Sequence, residues 1–367
     1  MINVIYFNQW FSSITPVIED IKKKMGNKIK IIASSKNPEH AYKNVVDEFL
    51  VENWEDGDSL ADTNRNYIEY TLNVCKNYNV DIFFVKKNSK IIAENADKFK
   101  EIGVELILED YSTLNSVKSK SEVYDLLYES FKPEYKYLIP NYFRYRISGN
   151  KDDQLASIRD ILYQSDIDEL EWCLKLDEDE GGASFRKIKS EKILDLSSLS
   201  KFRVNEITVT ELNKMVDNLN EANLSKLLFM EILDEPEISV DCYNSKHGFI
   251  AICREKLPNS RVQRIYFNKE VTNICKSICE LYDFKYPFNV QFRTAKGTDS
   301  NDIKNLRLLE INPRMSGGTY YSTLYNMNIA EQVLLDEMGI SKPSDFSKFV
   351  DFTDKRVTFV EQAIKLD

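Results

Sequence analysis

Leu309-Glu310-Ile311-Asn312-Pro313-Arg314-Met315-Ser316-Gly317-Gly318 places a carboxylate, a carboxamide, a guanidinium and two adjacent glycines within one short run. Such a set of groups suits magnesium and polyphosphate. The stretch Leu306 to Ile311 is apolar enough to form a strand, on which Glu310 and Asn312 project from one face about 7 Å apart. Pro313 lacks an N–H and biases Asn312 toward extended backbone, so the strand should end there and hand over to Arg314 and the glycines. Only 11 of 367 residues are Gly, and the two Gly-Gly pairs are Gly181-Gly182 and Gly317-Gly318. Glycine lets a backbone approach phosphate without a Cβ and offer its N–H groups.

Just upstream lies Phe288-Asn289-Val290-Gln291-Phe292-Arg293, where alternation puts Asn289, Gln291 and Arg293 on one face. The polar segment Ala295 to Asn305 joins this run to Leu306–Asn312. An antiparallel hairpin with its turn near Ser300 and Asn301 sets Gln291 beside Glu310, so Gln291, Glu310 and Asn312 converge as oxygen ligands for magnesium. A polar hairpin facing solvent is the plainer alternative.

The chain is long enough for two to three domains, and its 43% hydrophobic content supplies a core for each. Six Cys occur without a CxxC pair, and with His40 and His247 as the only histidines a zinc site is not expected. Reduced thiols, the absence of a charged and apolar leader after Met1, and the lack of a long apolar run point to a cytoplasmic protein that does not enter a membrane. The net charge of −10 argues against nucleic acid as a partner, since phosphate-backbone binding needs a basic stripe. The 20 Tyr and 20 Phe are assigned to packing.

The first 110 or so residues alternate short apolar runs with amphipathic stretches: Ile2 to Phe7, Ile14 to Met25, Ile29 to Ala33, Ala41 to Phe49, Asn64 to Tyr78, Ile82 to Val85, Ile91 to Ile102 and Glu105 to Leu108. This pattern predicts a parallel α/β sheet, whose ligands gather at the carboxyl ends of its strands, where the loop Asn8 to Ser13 emerges. No GxGxxG follows the first strand, so a dinucleotide fold is not supported. A helix from Ser119 to Phe131 precedes a small α+β unit with a helix near Asp152 to Gln164, a strand at Glu171 to Leu176, a glycine loop and a helix at Thr210 to Asn220. A larger antiparallel region follows, with strands at Lys226 to Leu233, Ile238 to Tyr243, Phe249 to Arg254, Arg261 to Phe267, Phe288 to Thr294 and Leu306 to Ile311, and a helix at Lys269 to Tyr282. Asn328 to Glu337 and Arg356 to Ala363 add a helix and a final strand.

The runs Asn289-Val290-Gln291-Phe292 and Glu310-Ile311-Asn312-Pro313-Arg314 resemble the metal and phosphate motif of the ATP-grasp superfamily, in the branch of carbamoyl-phosphate-synthetase-like enzymes. The resemblance implies Gln291, Glu310 and Asn312 as magnesium ligands and Arg314 as a phosphate contact. It implies that Lys120, opening the helix after Ser119, meets the α-phosphate. Lys175, on the lid strand Trp172-Cys173-Leu174-Lys175, should reach the α- and β-phosphates, with Gly181, Gly182 and Ser184 as donors to the outer ones. Two departures stand out: Leu176 replaces the family's proline after Lys175, and Asp177-Glu178-Asp179-Glu180 sets negative charge before the loop. Glu231, Ile232 and Leu233 match the hinge that meets adenine, and Glu237 the ribose acceptor. The plainer reading pairs Glu231 and Asp241 with nearby Lys or Arg. Arg254, Lys256, Arg261 and Arg264 offer one candidate contact to substrate or phosphate, which the sequence does not single out.

The implied layout is a pre-ATP-grasp α/β domain over residues 1–112 and a two-subdomain ATP-grasp region over 113–367, the lid at about 133–228 and the catalytic subdomain at about 229–367. The implied activity is that of an ADP-forming carboxylate-amine ligase using ATP and magnesium, or manganese in its place, with Arg314 and Lys175 as catalytic groups. Its partners would be a small carboxylate and an amine, and a homodimer is compatible with this reading. A small-molecule kinase on the same fold and a non-catalytic nucleotide-binding module are the alternatives.

Overall fold

Strand β1 (Asn3–Asn8) buries Ile5, Tyr6 and Phe7 completely, so both its faces are covered, as a central parallel strand requires. Residues 2–147, 150, 153, 154, 156, 171–179, 182–189, 205–258, 260–340, 343–350 and 354–359 are described by the computed structural model. With β2 (Ile29–Ser35), β3 (Glu48–Val51), β4 (Ile82–Phe84) and β5 (Glu105–Ile107), β1 forms a five-stranded sheet in the order β3-β2-β1-β4-β5. All its pairings are parallel. The order reverses between β1 and β4. Phe7 stacks on Phe84 across that junction with ring centroids 4.8 Å apart. On one face the helix Thr15–Met25 buries Val17, Ile18, Ile21 and Met25, a helical spacing begun by Pro16 in its first turn.

The stretch Ala41 to Phe49, which the sequence pattern leaves without an element type, is not one continuous element. It forms a short 3-10 turn (Ala41–Asn44) and then enters edge strand β3. The Asp47 carboxylate accepts the Ile31 N–H at 2.7 Å and pairs with Lys22 at 2.6 Å, while the Asp47 N–H donates to the Ile31 carbonyl at 2.8 Å. Those bonds draw the chain alongside β2.

A second, mixed sheet has the order β6-β10-β7-β8-β9, from β6 (Tyr142–Arg144), β7 (Trp172–Leu176), β8 (Arg186–Lys189), β9 (Glu206–Thr208) and β10 (Leu227–Glu231). Strands β8 and β9 pair in parallel, while β10 pairs antiparallel with β6 and β7, and β7 antiparallel with β8. A third, six-stranded sheet runs β15-β14-β11-β12-β13-β16, from β11 (Asp234–Ser245), β12 (Gly248–Lys256), β13 (Val262–Tyr266), β14 (Phe288–Thr294), β15 (Leu306–Asn312) and β16 (Lys355–Thr358). Helix Lys269–Tyr282 occupies the predicted span. Asn268 caps it by accepting the Glu270 and Val271 N–H groups, and Val271, Ile274, Cys275, Ile278, Cys279 and Tyr282 form its buried stripe. The expected helix near 152–164 and the end of the expected final strand fall largely outside the described residues.

The chain divides into two compact units. One comprises Met1–Asn115, Ile238–Val290 and Ile311–Asp367, the other Ser116–Glu237 and Gln291–Glu310. No helix among the described residues is long and apolar enough to cross a membrane.

Within the first unit Glu109 is 2% exposed and accepts the Lys285 and Tyr286 N–H groups at 3.0 and 2.8 Å. Burial is the dominant influence on it, and pushes its carboxyl up to about 7. Between the ordinary carboxylate range and pH 7 the folded chain therefore holds a proton that the unfolded chain has released. Stability contributed by this group is full below the ordinary value and falls as pH rises through about 7, by about 3 kcal/mol in all. Urea titrations at stepped pH should show that decline in the wild type and a flatter profile in Glu109→Gln, whose amide oxygen keeps both N–H partners. Parallel profiles would remove Glu109 as the source.

Candidate functional site

Helix Lys120–Ser130 begins at an N-cap, Ser119, whose hydroxyl accepts the Glu122 N–H at 3.1 Å. Lys120 is therefore the first helical residue, where an ammonium is disfavoured by the helix dipole and needs other compensation. Its Nζ donates to the Asp177 carbonyl at 3.4 Å and to the Asp179 carbonyl, and lies 4.0 Å from the Glu310 carboxylate. Lys175 projects from β7 and is 7% exposed. Burial lowers its ammonium to about 8, with Lys120 lowering it further and Cys173, Glu310 and Asp177 opposing. Lys120, Lys175 and Glu310 come from three separate segments, yet form one electrostatic cluster inside the second unit.

The acidic run before the glycine loop has defined internal partners. Asp177, 4% exposed, accepts the Ser121 N–H at 2.8 Å, the Ser121 hydroxyl at 2.7 Å and the Ser119 hydroxyl at 2.5 Å, which places a carboxylate on the helix N-terminus. Glu178 pairs with Lys118. Asp179 accepts the Ser184 N–H at 2.7 Å and its hydroxyl at 2.6 Å, while Ser184 Oγ accepts the Leu176 N–H at 2.8 Å. Ser184, expected to face phosphate, is thus engaged within its own turn. Gly182 adopts φ +67°, a conformation favouring glycine, and Gly181 lies outside the described residues.

At the expected hinge, β10 lies between β6 and β7. The Glu231 carboxylate accepts the Asn141 N–H at 2.8 Å and its side-chain amide at 3.1 Å, with Arg307 Nε 3.9 Å away. The Glu231 N–H donates to Asn141 O and the Ile232 N–H to Glu171 O. Leu233 is buried, and Glu237 pairs with Arg293 at 3.2 Å. Gln291 and Glu310 belong to the second unit, in a hairpin that closes where the Ala295 N–H meets the Asn305 carbonyl at 2.7 Å. Asn312 and Arg314 belong to the first unit, where the Arg314 N–H donates to the Asn312 carbonyl at 2.8 Å. Among the described residues no group of three or more His, Cys, Asp or Glu is arranged to hold a metal. The expected magnesium set has only one carboxylate, its other two members being amides.

Of the four basic residues left unresolved by sequence, Arg254 is the buried one, at 3% exposure. Its Nε donates to Asp241 at 2.9 Å, Nη1 to Gln263 at 3.0 Å, and Nη2 to Ser239 at 2.9 Å and Ser316 at 2.7 Å. Asn289, fully buried, donates its amide to Ser239 Oγ, the Val240 carbonyl and Asp241 Oδ1. The polar hairpin face is therefore not solvated at Asn289. Gly318 lies against the guanidinium, where a Cβ would overlap it. Arg264 instead pairs with Glu255 and Asp354 near the surface. Sequence alternation exposes the shared face of Ser239 and Asp241, but the partners of Arg254 lie 9 to 62 residues away in the chain.

Removing one partner of a buried ion pair strands the other without hydration. Asp241→Ala is therefore expected to cost about 3–5 kcal/mol in urea unfolding. A loss below about 1 kcal/mol would mean that water reaches the guanidinium and solvates it.

The chain has the ATP-grasp superfamily fold. Residues 223–361 match a family model described as ATP-grasp in the biosynthetic pathway with Ter operon. An L-amino acid ligase from Bacillus licheniformis is similar at TM-score 0.59 and 11% identity, over 95% of this chain and 77% of that one. The biotin carboxylase domain of Hydrogenobacter thermophilus 2-oxoglutarate carboxylase, solved as a dimer with MgADP, ADP and bicarbonate, is similar at TM-score 0.58 and 15% identity, over 92% of this chain and 70% of that one. Rhizobium etli pyruvate carboxylase is similar at TM-score 0.58 and 15% identity over 94% of this chain, which spans only 30% of that longer one. No curated protein sequence matches the chain.

Proposed function

We propose that the chain is an ATP- and magnesium-dependent ligase that activates a substrate carboxylate for attack by an amine, releasing ADP and phosphate. What carries this reading is the Lys120, Lys175 and Glu310 cluster, in which two ammonium groups and a carboxylate share one partly buried site. A lysine held in low dielectric beside a second lysine has unused affinity for a polyanion, and a half-buried carboxylate between cations is a fitting ligand for a hard divalent ion. Lys120 and Lys175 would hold the nucleotide phosphates. Glu310, Gln291 and Asn312 would hold the magnesium, and Arg314 would contact the transferring phosphoryl group. Magnesium-bound ATP supplies the phosphoryl group that turns a carboxylate into an acylphosphate open to the amine. This chain's residues bind, orient and neutralise charge, and none of them has to act as a covalent nucleophile.

In this reading residues 1–112 form the pre-ATP-grasp domain and 113–367 the ATP-grasp region. Phe11, exposed in the loop after β1, lies against Gly317 and carries Lys86 over its ring at 4.7 Å, which fits that loop as part of the acid-substrate wall. The six cysteines are free and buried, in keeping with a reducing cytoplasm. The test is a screen of carboxylic acids and amines with ATP and magnesium, reading ADP release and the mass of a new amide. ADP release that needs both an acid and an amine supports a ligase. A phosphorylated product formed without any amine would replace it with a kinase, and nucleotide binding with no turnover across the panel would replace it with a binding module.

A further inference from the structure

The two donors of Ser184 expected to serve a phosphate are both committed to one carboxylate oxygen of Asp179, the N–H at 2.7 Å and the hydroxyl at 2.6 Å. A hydroxyl has a single proton to donate, and a backbone amide likewise. Each bond that Ser184 makes to Asp179 is therefore one it cannot make to another anion. The arrangement is closed on its other side as well, because Ser184 Oγ accepts the Leu176 N–H one residue beyond Lys175. Lys120 Nζ, the other cation of the cluster, donates to the Asp179 carbonyl, so the residue that occupies Ser184 is tied to the same group that faces Glu310. Its neighbours in the acidic run are engaged differently. Asp177 is spent on the helix N-terminus and Glu178 on exposed Lys118.

We propose that Asp179 is a positioning residue that stands in for phosphate on Ser184, so that an incoming nucleotide must displace an internal carboxylate before the turn can bind it. This rests on the nucleotide reading above and deepens it, since Asp179 sets how much of the binding energy depends on the outer phosphates. A ligand without those phosphates has nothing to exchange for the Asp179 carboxylate. The contact thereby lowers affinity for ATP while leaving that for AMP unchanged.

The test is calorimetric binding of ATP and of AMP, with magnesium and without an acid or amine, to the full chain. Asp179→Ala should tighten ATP binding about five- to tenfold, the net worth of about one hydrogen bond once the freed donors' exchange with water is counted. AMP binding should stay within about twofold. Glu178→Gln removes the same charge one residue away and should leave ATP affinity within about twofold, because an exposed ion pair contributes little. Asp179→Asn, which keeps the side-chain shape and one carbonyl acceptor, should give a smaller gain and guards against a collapsed turn in the alanine variant. On a Ser184→Ala background Asp179→Ala should add less than it does alone. The proposal is overturned by an unchanged or weaker ATP affinity in both Asp179 variants, by an equal gain in Glu178→Gln, or by a full gain on the Ser184→Ala background. Absence of ATP binding by the wild type and all variants alike would overturn the nucleotide reading itself.

Discussion

Glu310→Ala is expected to lower magnesium-dependent ADP release by about a thousandfold, with the protein still folded and still able to bind nucleotide, and Asn312→Ala to do the same. Two consequences of the substitution separate. Loss of the carboxylate removes the only ionised member of the proposed magnesium set, so turnover should not be restored by tenfold more metal if the coordination geometry is lost with it. It also removes the anion 4.0 Å from Lys120 and one of the charges that partly offset the burial of Lys175. The lysines are then less compensated, and metal-free polyphosphate should bind as well as before or better. Arg314→Ala, which leaves the metal set intact, should impair turnover less. The measurements are steady-state ADP release against magnesium concentration, tripolyphosphate binding without metal, and thermal unfolding. Wild-type turnover in any two of the three variants would dismiss the site assignment.

What the sequence revealed of the fold follows from where each instruction is local. Helix Lys269–Tyr282 carries its cap at Asn268 and its apolar stripe within its own span, so periodicity alone bounded it. Strand β15 ends beside Pro313 for an equally local reason. Edge strand β3 is not legible locally, because the chain before it is drawn alongside β2 by Asp47 bonding to Ile31, a partner 16 residues away. Strands β8 and β9 were missed because Arg186–Lys189 and Glu206–Thr208 are short and rich in charge, and only their mutual parallel pairing makes them strands. The site divides along the same line. Spacing singles out Glu310, whereas Lys120 and Lys175 follow only from the family resemblance, and the structure brings the three into one cluster. The run Asp177-Glu178-Asp179 reads in one dimension as repulsion for phosphate, whereas in three dimensions each acid answers a specific donor. The Arg254, Asp241 and Asn289 network was half visible, since alternation aligns Ser239 with Asp241 but says nothing of the strand that delivers the arginine.

Lys175→Met should produce opposite changes in stability and binding within a single protein. Wild-type Lys175 is almost fully buried, and the value of about 8 to which burial lowers it stands against 10.5 for an ordinary lysine. That difference measures what keeping the ammonium charged costs the folded state, about 3 kcal/mol. Below pH 8 both states are protonated and the full cost stands. Between about 8 and 10.5 the unfolded chain holds a proton that the folded one has released, so the contribution of this group to stability rises with pH until the cost is relieved. Methionine fills a similar volume with no charge to desolvate and packs adaptably beside Cys173 and Lys120. The variant should therefore unfold at higher urea at pH 7, by about 2 to 3 kcal/mol, and its advantage should shrink toward pH 10. ATP binding should fall by about two orders of magnitude, because a charge held in low dielectric interacts with phosphate more strongly than an exposed one. A site kept for packing alone would give the stability gain with affinity unchanged. A methionine variant that is less stable than wild type at every pH would mean that Lys175 is compensated in place and carries no stored cost, and the electrostatic basis of the proposed phosphate site would go with it.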